Sequence, residues 1–77
     1  MKRNIKNELE GMKQIAKWAG KTEFVVMKSS TWAGAQYPAV EMVRGSFEDV
    51  ETWCYAHQND HEFNTDYVSQ YEICLVK

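Results

Sequence analysis

Three residues in the second half of the chain carry atoms that bind metals. Cys54, His57 and His61 are spaced i, i+3 and i+7, which would place them on one face of a helix long enough to reach residue 61. Sulfur and imidazole ligands in a tetrahedral set suit zinc, and Asp60 or Glu62 could complete the set. The turn signal near Asp60 predicts that the helix ends before His61, and the chain has no Cys-x-x-Cys pair. We therefore expect Cys54 and His57 to be packing residues and expect no metal or cofactor, with a small zinc-binding protein as an alternative.

The acidic segment 60–66 alternates oxygen-bearing side chains in the manner of a calcium loop. A calcium loop that began at Asp60 would need glycine where Thr65 stands and glutamate where Tyr71 stands. We expect a solvated acidic loop in this segment, with Phe63 as its apolar anchor.

Cys54 and His57 are also the residue types of a nucleophile and its base. They lie one helical turn apart on an apolar face, where a thiol is buried and unreactive. No serine has a histidine at a spacing that suggests a catalytic pair. The sequence therefore predicts no catalytic residues and a protein that is not an enzyme.

Charge is distributed unevenly along the chain. Residues 1–28 carry seven basic and three acidic side chains, a net charge of +4, whereas residues 29–77 carry two basic and eight acidic ones, a net charge of −6. Lys6, Lys13 and Lys17 fall on one flank of a predicted helix. Such a ridge can contact phosphates, so a small nucleic-acid-binding accessory protein is a second alternative. The overall charge of −2 argues against direct nucleic-acid binding as the main function.

Acidic and aromatic side chains suit a surface that docks on another protein. Exposed tyrosine and tryptophan are typical of binding hot spots. The surface that we predict combines one flank of the second helix, the acidic loop after it and one loop tryptophan: Glu48, Glu51, Tyr55, Asp60, Glu62, Asp66 and Trp32. Trp18 lies off the apolar stripe of the first helix, so Trp18 and Trp32 either fold over the edges of the core or stay exposed to bind.

Apolar spacing predicts a first helix over residues 4–19. Asn4 is placed to cap its N-terminus and Gly20 its C-terminus. Ile15 widens a buried stripe at helical spacing that consists of Ile5, Leu9, Met12, Ala16 and Ala19. A second helix begins at Ser46, where Ser46 and Asp49 approximate a capping box.

Residues rich in β-branched and aromatic types predict strands at 23–28, 38–44 and 67–76, with a loose hairpin loop over 29–37. Pro38 suits the start of an edge strand, and such an edge could support a symmetric homodimer. The polar loop before the last strand permits either orientation of that strand. The order α-β-β-α-β predicts an α+β two-layer sandwich, with a three-stranded, largely antiparallel sheet and both helices on one face.

Length and composition limit the class of protein. The 77 residues form one domain, and 44% hydrophobic with 26% charged residues is the composition of a folded globular protein. No apolar run approaches the roughly 18 residues of a membrane span. No apolar segment follows the basic N-terminus, so we expect no secretory signal. Two cysteines are too few for a disulfide scaffold, so we expect reduced thiols and a cytoplasmic protein.

The chain resembles the small phage-encoded proteins that inhibit host machinery, anti-CRISPR proteins among them. The shared traits are a single α+β domain, an acidic face, many aromatic residues and no catalytic motif. The resemblance implies a stoichiometric inhibitor in the host cytosol that docks on a nucleic-acid-binding enzyme or complex and blocks its activity. An acidic surface suits this task, because charge matched to a basic groove raises the rate of association.

Overall fold

Two helices and three strands in the order α-β-β-α-β make up the described part of the chain, as the sequence predicts. The computed structural model describes residues 2–32, 34–65 and 68–76, and of Trp32 the backbone alone. The elements are α1 (Ile5–Ala19), β1 (Phe24–Trp32), β2 (Ala35–Gly45), α2 (Phe47–Ala56), a short 3₁₀ turn (His61–Phe63) and β3 (Ser69–Leu75). Neither α-helix in these ranges combines the length and the apolar character needed to cross a bilayer.

Both ends of α1 are capped by the residues that the sequence predicts. The side-chain oxygen of Asn4 accepts a hydrogen bond from the N–H of Asn7 at 3.0 Å, which satisfies one of the free amides of the first turn. Gly20 ends the helix in the left-handed conformation with φ 68°, where a side chain would be strained. These local interactions fix the length of the helix.

β1 is the central strand of an antiparallel sheet with the order β2-β1-β3. Val26 of β1 lies opposite Val43 of β2 and Ile73 of β3. Side chains alternate along a strand, so Phe24 and Val26 point to the same face as Tyr71 and Ile73. The antiparallel pairing of β3 with β1 settles the orientation that the sequence left open.

The hairpin between β1 and β2 differs from its prediction. We expected a loose loop over 29–37, but the strands stay paired as far as Trp32 and Ala35, and Gly34 lies in the turn with φ 81°. Backbone hydrogen bonds along the ladder stabilise strand structure here although the side chains are small or polar. Pro38 lies within the edge strand β2, at a β-bulge and after a trans peptide bond, and not at its start.

The core lies between the sheet and the two helices, which cover one face of the sheet as predicted. α1 packs mainly on β3, and α2 packs mainly on β2. The buried side chains of this cluster are Ile5, Leu9, Ala16, Phe24, Val26, Val50, Cys54, Phe63, Tyr71 and Ile73. Ile15 does not widen the buried stripe and is 51% exposed. α1 lies over β3, an edge strand of the sheet.

Replacing glycine with alanine should have opposite effects on stability at Gly11, inside α1, and at Gly20, its C-cap. Gly20→Ala should lower the free energy of unfolding by about 1 kcal/mol, because alanine is strained at a positive φ. Gly11→Ala should raise it by about 0.5–1 kcal/mol, since Gly11 is inside the helix and a Cβ there meets nothing within 4 Å. Urea unfolding of both variants measures the two effects, and effects of the same sign would contradict the assigned helix end.

Candidate functional site

Three of the predicted partner-binding residues lie on one flank of α2. Glu48, Glu51 and Tyr55 are spaced i, i+3 and i+7 in a helix whose start is fixed by the predicted capping box. The hydroxyl of Ser46 accepts from the N–H of Asp49 at 3.3 Å, and the carboxylate of Asp49 accepts from the N–H of Ser46 at 3.2 Å. No hydrogen bond or ion pair among the described residues engages Glu48 or Glu51. Tyr55 is 40% exposed, so this flank is available to a partner.

The same flank of α2 lies beside the lysine-bearing flank of α1. Phe47 lines a cavity of about 320 Å³ together with Lys13, and Tyr55 lines a cavity of about 380 Å³ together with Lys6. Glu51 lies between the two cavities, because it is one turn after Phe47 and one turn before Tyr55. We name this strip the helix seam; its charged and aromatic members are Lys6, Lys13, Lys17, Glu48, Glu51 and Tyr55. The surface thus mixes both signs of charge and is not an unbroken acidic face.

Asp60, also predicted to bind a partner, lies instead in a hydrogen-bonded cluster with aromatic side chains. Its Oδ2 accepts from the hydroxyl of Tyr71 at 2.8 Å and lies 3.0 Å from Nδ1 of His57. The Trp53 ring stacks on His57 with centroids 4.1 Å apart and meets Tyr71 edge-on at 5.0 Å. Glu62, on the adjacent 3₁₀ turn, is half-buried. The structure therefore gives Asp60 a role in holding the fold.

Burial and hydrogen bonding together determine the ionisation of Asp60 and Tyr71. Burial alone would raise the pKa of Asp60, but hydrogen bonds with Tyr71 and His57 outweigh it and hold the pKa below its usual range. Burial, followed by the hydrogen bond to Asp60, raises the pKa of Tyr71. A carboxylate with a lowered folded-state pKa stabilises the fold above its unfolded pKa of about 4. That contribution is lost as the pH falls through the folded-state pKa, so stability should decrease in acid.

Arg3 is the residue that sequence reasoning missed. Its guanidinium forms a bidentate pair with Glu8, in which Nε donates to Oε2 at 2.8 Å. The guanidinium also donates to the carbonyl of Tyr71 and, at 3.3 Å, to Oε1 of Gln70. The hydrogen bond with Glu8 outweighs burial and raises the pKa of Arg3. Gln70 is 67 positions away in the sequence, so no local spacing could reveal this contact.

Cys54 and His57, two of the residues considered for zinc, are packing and capping residues of α2. Cys54 is fully buried, as predicted, and burial raises the pKa of its thiol to about 11. His57 is the C-cap of α2 and stacks on Trp53. Among the described residues, no group of three or more histidine, cysteine, aspartate or glutamate side chains is arranged to hold a metal ion.

Asp66 and the side chain of Trp32 lie outside the described residues. The backbone of Trp32 is described, and it lies at the end of β1, where it pairs with Ala35, and not in a wide loop.

Trp18 is the most exposed large hydrophobic side chain of the described chain. It is 91% exposed on the face of α1 opposite the core, and Ile15, one turn earlier, is half exposed beside it. The sequence singled out Trp18 because it lies off the apolar stripe, and the structure shows that it does not fold over the edge of the core. We name Trp18 and Ile15 the Trp18 patch.

Comparisons with protein families, with curated proteins and with solved structures give no match to this chain.

Two tyrosines test the role of the Asp60 cluster. Tyr71→Phe keeps the packed ring but removes the hydroxyl that donates to Asp60, so we expect the free energy of unfolding at pH 7 to fall by about 1 kcal/mol. The pKa of Asp60, which carboxyl NMR measures, should rise. On acidification the variant should therefore lose stability at a higher pH than the wild type. Tyr55→Phe removes a hydroxyl with no partner among the described residues and should change stability by less than about 0.5 kcal/mol. Equal effects of the two changes, or an unchanged pKa of Asp60, would contradict the assignment.

Proposed function

We propose that this protein is a non-enzymatic binding module, an anti-CRISPR-like inhibitor that docks on a nucleic-acid-handling protein of the host cell and blocks its activity. The observation that carries the proposal is the exposure of Trp18. Large apolar side chains left in water are typical of interaction sites, and tryptophan is among the residues most enriched in binding hot spots. Since Trp18 is 91% exposed, its side chain contributes almost no hydrophobic stabilisation to the fold.

The energy available from this side chain is large compared with that of an exposed ion pair. A tryptophan buries about 150–250 Å² on docking, which at ~25 cal/mol per Å² corresponds to an upper limit of about 4–6 kcal/mol. An exposed ion pair contributes about 0–1 kcal/mol. The Trp18 patch is therefore proposed as the anchor, and the charges of the helix seam as the determinants of orientation.

The charge of α2 supports a basic partner. Glu48 and Glu51 make no ion pair among the described residues. Both lie on a helix, in the same layer of the fold as the Trp18 patch. Proteins that handle nucleic acid carry basic grooves, and acidic side chains that meet such a groove raise the on-rate and exclude other partners.

The test begins with tagged protein, host lysate and a salt gradient, and continues with the purified partner. Trp18→Ala should weaken binding to that partner by at least about 2 kcal/mol, which is roughly 30-fold. Tyr37→Ala is the matched control, because Tyr37 is a half-exposed aromatic residue of the sheet layer. Equal affinities of the Trp18→Ala variant and the wild type would refute the anchor.

A charge-matched pair of double variants tests the acidic flank. Glu48→Lys with Glu51→Lys should slow association and lower affinity, while the circular-dichroism spectrum stays unchanged. Glu10→Lys with Glu23→Lys changes the net charge equally at positions outside α2 and should leave affinity nearly unchanged. If both double variants lose affinity equally, net charge and not the α2 flank controls binding.

One observation favours the nucleic-acid alternative. Lys6, Lys13 and Lys17 are exposed on α1 and make no ion pair among the described residues, and the two cavities of the helix seam are rimmed by further lysines. If the captured partner is nucleic acid alone, replacing these three lysines with glutamine should reduce the salt slope of binding by about 0.9 for each phosphate that the variant no longer neutralises.

A further inference from the structure

One cavity of the helix seam has an aromatic floor and a basic rim. Its volume is about 320 Å³, and Ala16, Phe24 and Phe47 form its apolar surface. Phe24 and Phe47 meet edge to face with ring centroids 5.5 Å apart, a favourable aromatic arrangement. Ala16 of α1 is buried and has the smallest side chain of the three. We name this space the Phe47 cavity.

The rim of the Phe47 cavity carries charge of one sign. Lys13, Lys17 and Lys21 line it, and no carboxylate is among the residues that do. Nζ of Lys13 lies 5.1 Å from the centroid of the Phe47 ring, which places a cation directly over the floor. No ion pair among the described residues neutralises these three lysines.

We propose that the Phe47 cavity binds a small organic anion with an apolar body, specifically a carboxylate on an aryl or aryl-alkyl group. The apolar body packs on Phe24, Phe47 and Ala16, and the carboxylate lies among the ammonium groups of the rim. The volume is near the lower end of the range of ligand sites, about 300–1,000 Å³, which limits the ligand to one ring with a short chain. The cavity shares Lys13 and Lys17 with the helix seam, but it does not include the Trp18 patch that is proposed above as the anchor for a protein partner.

The arrangement discriminates by charge as well as by shape. An uncharged ligand of the same body gains only the apolar contact, and an ammonium ligand is repelled by three cations within one small space. Inorganic phosphate gains the charge but not the contact with the aromatic floor. Only a ligand that has both parts uses the whole site.

The first measurement is a titration of the full chain followed by amide NMR, with phenylbutyrate, phenylbutanol and phenylbutylammonium as probes of one shape and three charges. We expect phenylbutyrate to shift the amides of Ala16, Phe24 and Phe47, and to bind at least about tenfold more tightly than phenylbutanol, as expected for two or more exposed charge contacts. Phenylbutylammonium should cause no saturable shift of these amides.

Two lysine variants with the same change in charge locate the site. Lys17→Glu places a carboxylate on the rim and should weaken phenylbutyrate binding by about tenfold or more. Lys6→Glu is the matched control, since Lys6 is exposed on the same flank of α1 but lines the other cavity. It should change the affinity less than about threefold.

Three results would overturn the proposal: binding of the ammonium probe as tight as that of the carboxylate, equal losses of affinity from both lysine variants, or shifts at Ile5, Tyr55 and Gln58 in place of those around Phe47. The last result would place the anion in the other cavity. None of these results depends on whether Trp18 anchors a protein partner.

Discussion

Arg3 holds together three parts of the chain: α1, the 3₁₀ turn and β3. Its guanidinium joins Glu8 of α1 to the main chain of β3. The main-chain N–H of Arg3 donates to the carbonyl of Phe63 at 2.9 Å. The guanidinium also lies 5.5 Å from the centroid of the buried Phe63 ring. A domain of this size buries only about 60% of its unfolded surface, so each such interaction is a large part of the total. The Arg3 side chain is partly buried, with 17% exposed, and its hydrogen bonds offset the cost of removing its charge from water.

The same interactions determine where the candidate sites lie. Arg3 binds the carbonyl of Tyr71, the Tyr71 hydroxyl binds Asp60, and Asp60 contacts His57 at the C-terminus of α2. One network thus runs from the N-terminus of α1 to the end of α2. It fixes the two helices side by side, and the helix seam with its two cavities exists because of that placement.

Local signals in the sequence predicted the parts of the fold that depend on neighbouring residues. The Asn4 and Gly20 caps and the Ser46 capping box follow from residues within one turn of each other, and the structure confirms them. The exposure of Ile15 depends on how α1 packs on the sheet. That packing is a long-range contact, which the spacing of apolar residues within the helix cannot predict. The role of Asp60 has the same origin, since its partner Tyr71 is 11 positions away on another element. Sequence could therefore identify Asp60 as polar and near the surface but could not show that its carboxylate is already engaged.

The helix seam changes the electrostatic argument for binding. In the sequence the basic and acidic halves are separate, with net charges of +4 and −6, and seven of the chain's nine basic residues lie within positions 1–28. In the fold the lysine flank of α1 lies beside the acidic flank of α2. Fields of opposite sign from adjacent helices largely cancel beyond a Debye length, about 8–10 Å at physiological salt. A nucleic-acid mimic relies on an extended field of one sign, and this surface does not present one. In the proposed interaction, charge steers and orients a partner only within a Debye length, so most of the affinity must come from apolar surface. Among the described residues of the helical layer, the exposed Trp18 is the largest single source of such surface.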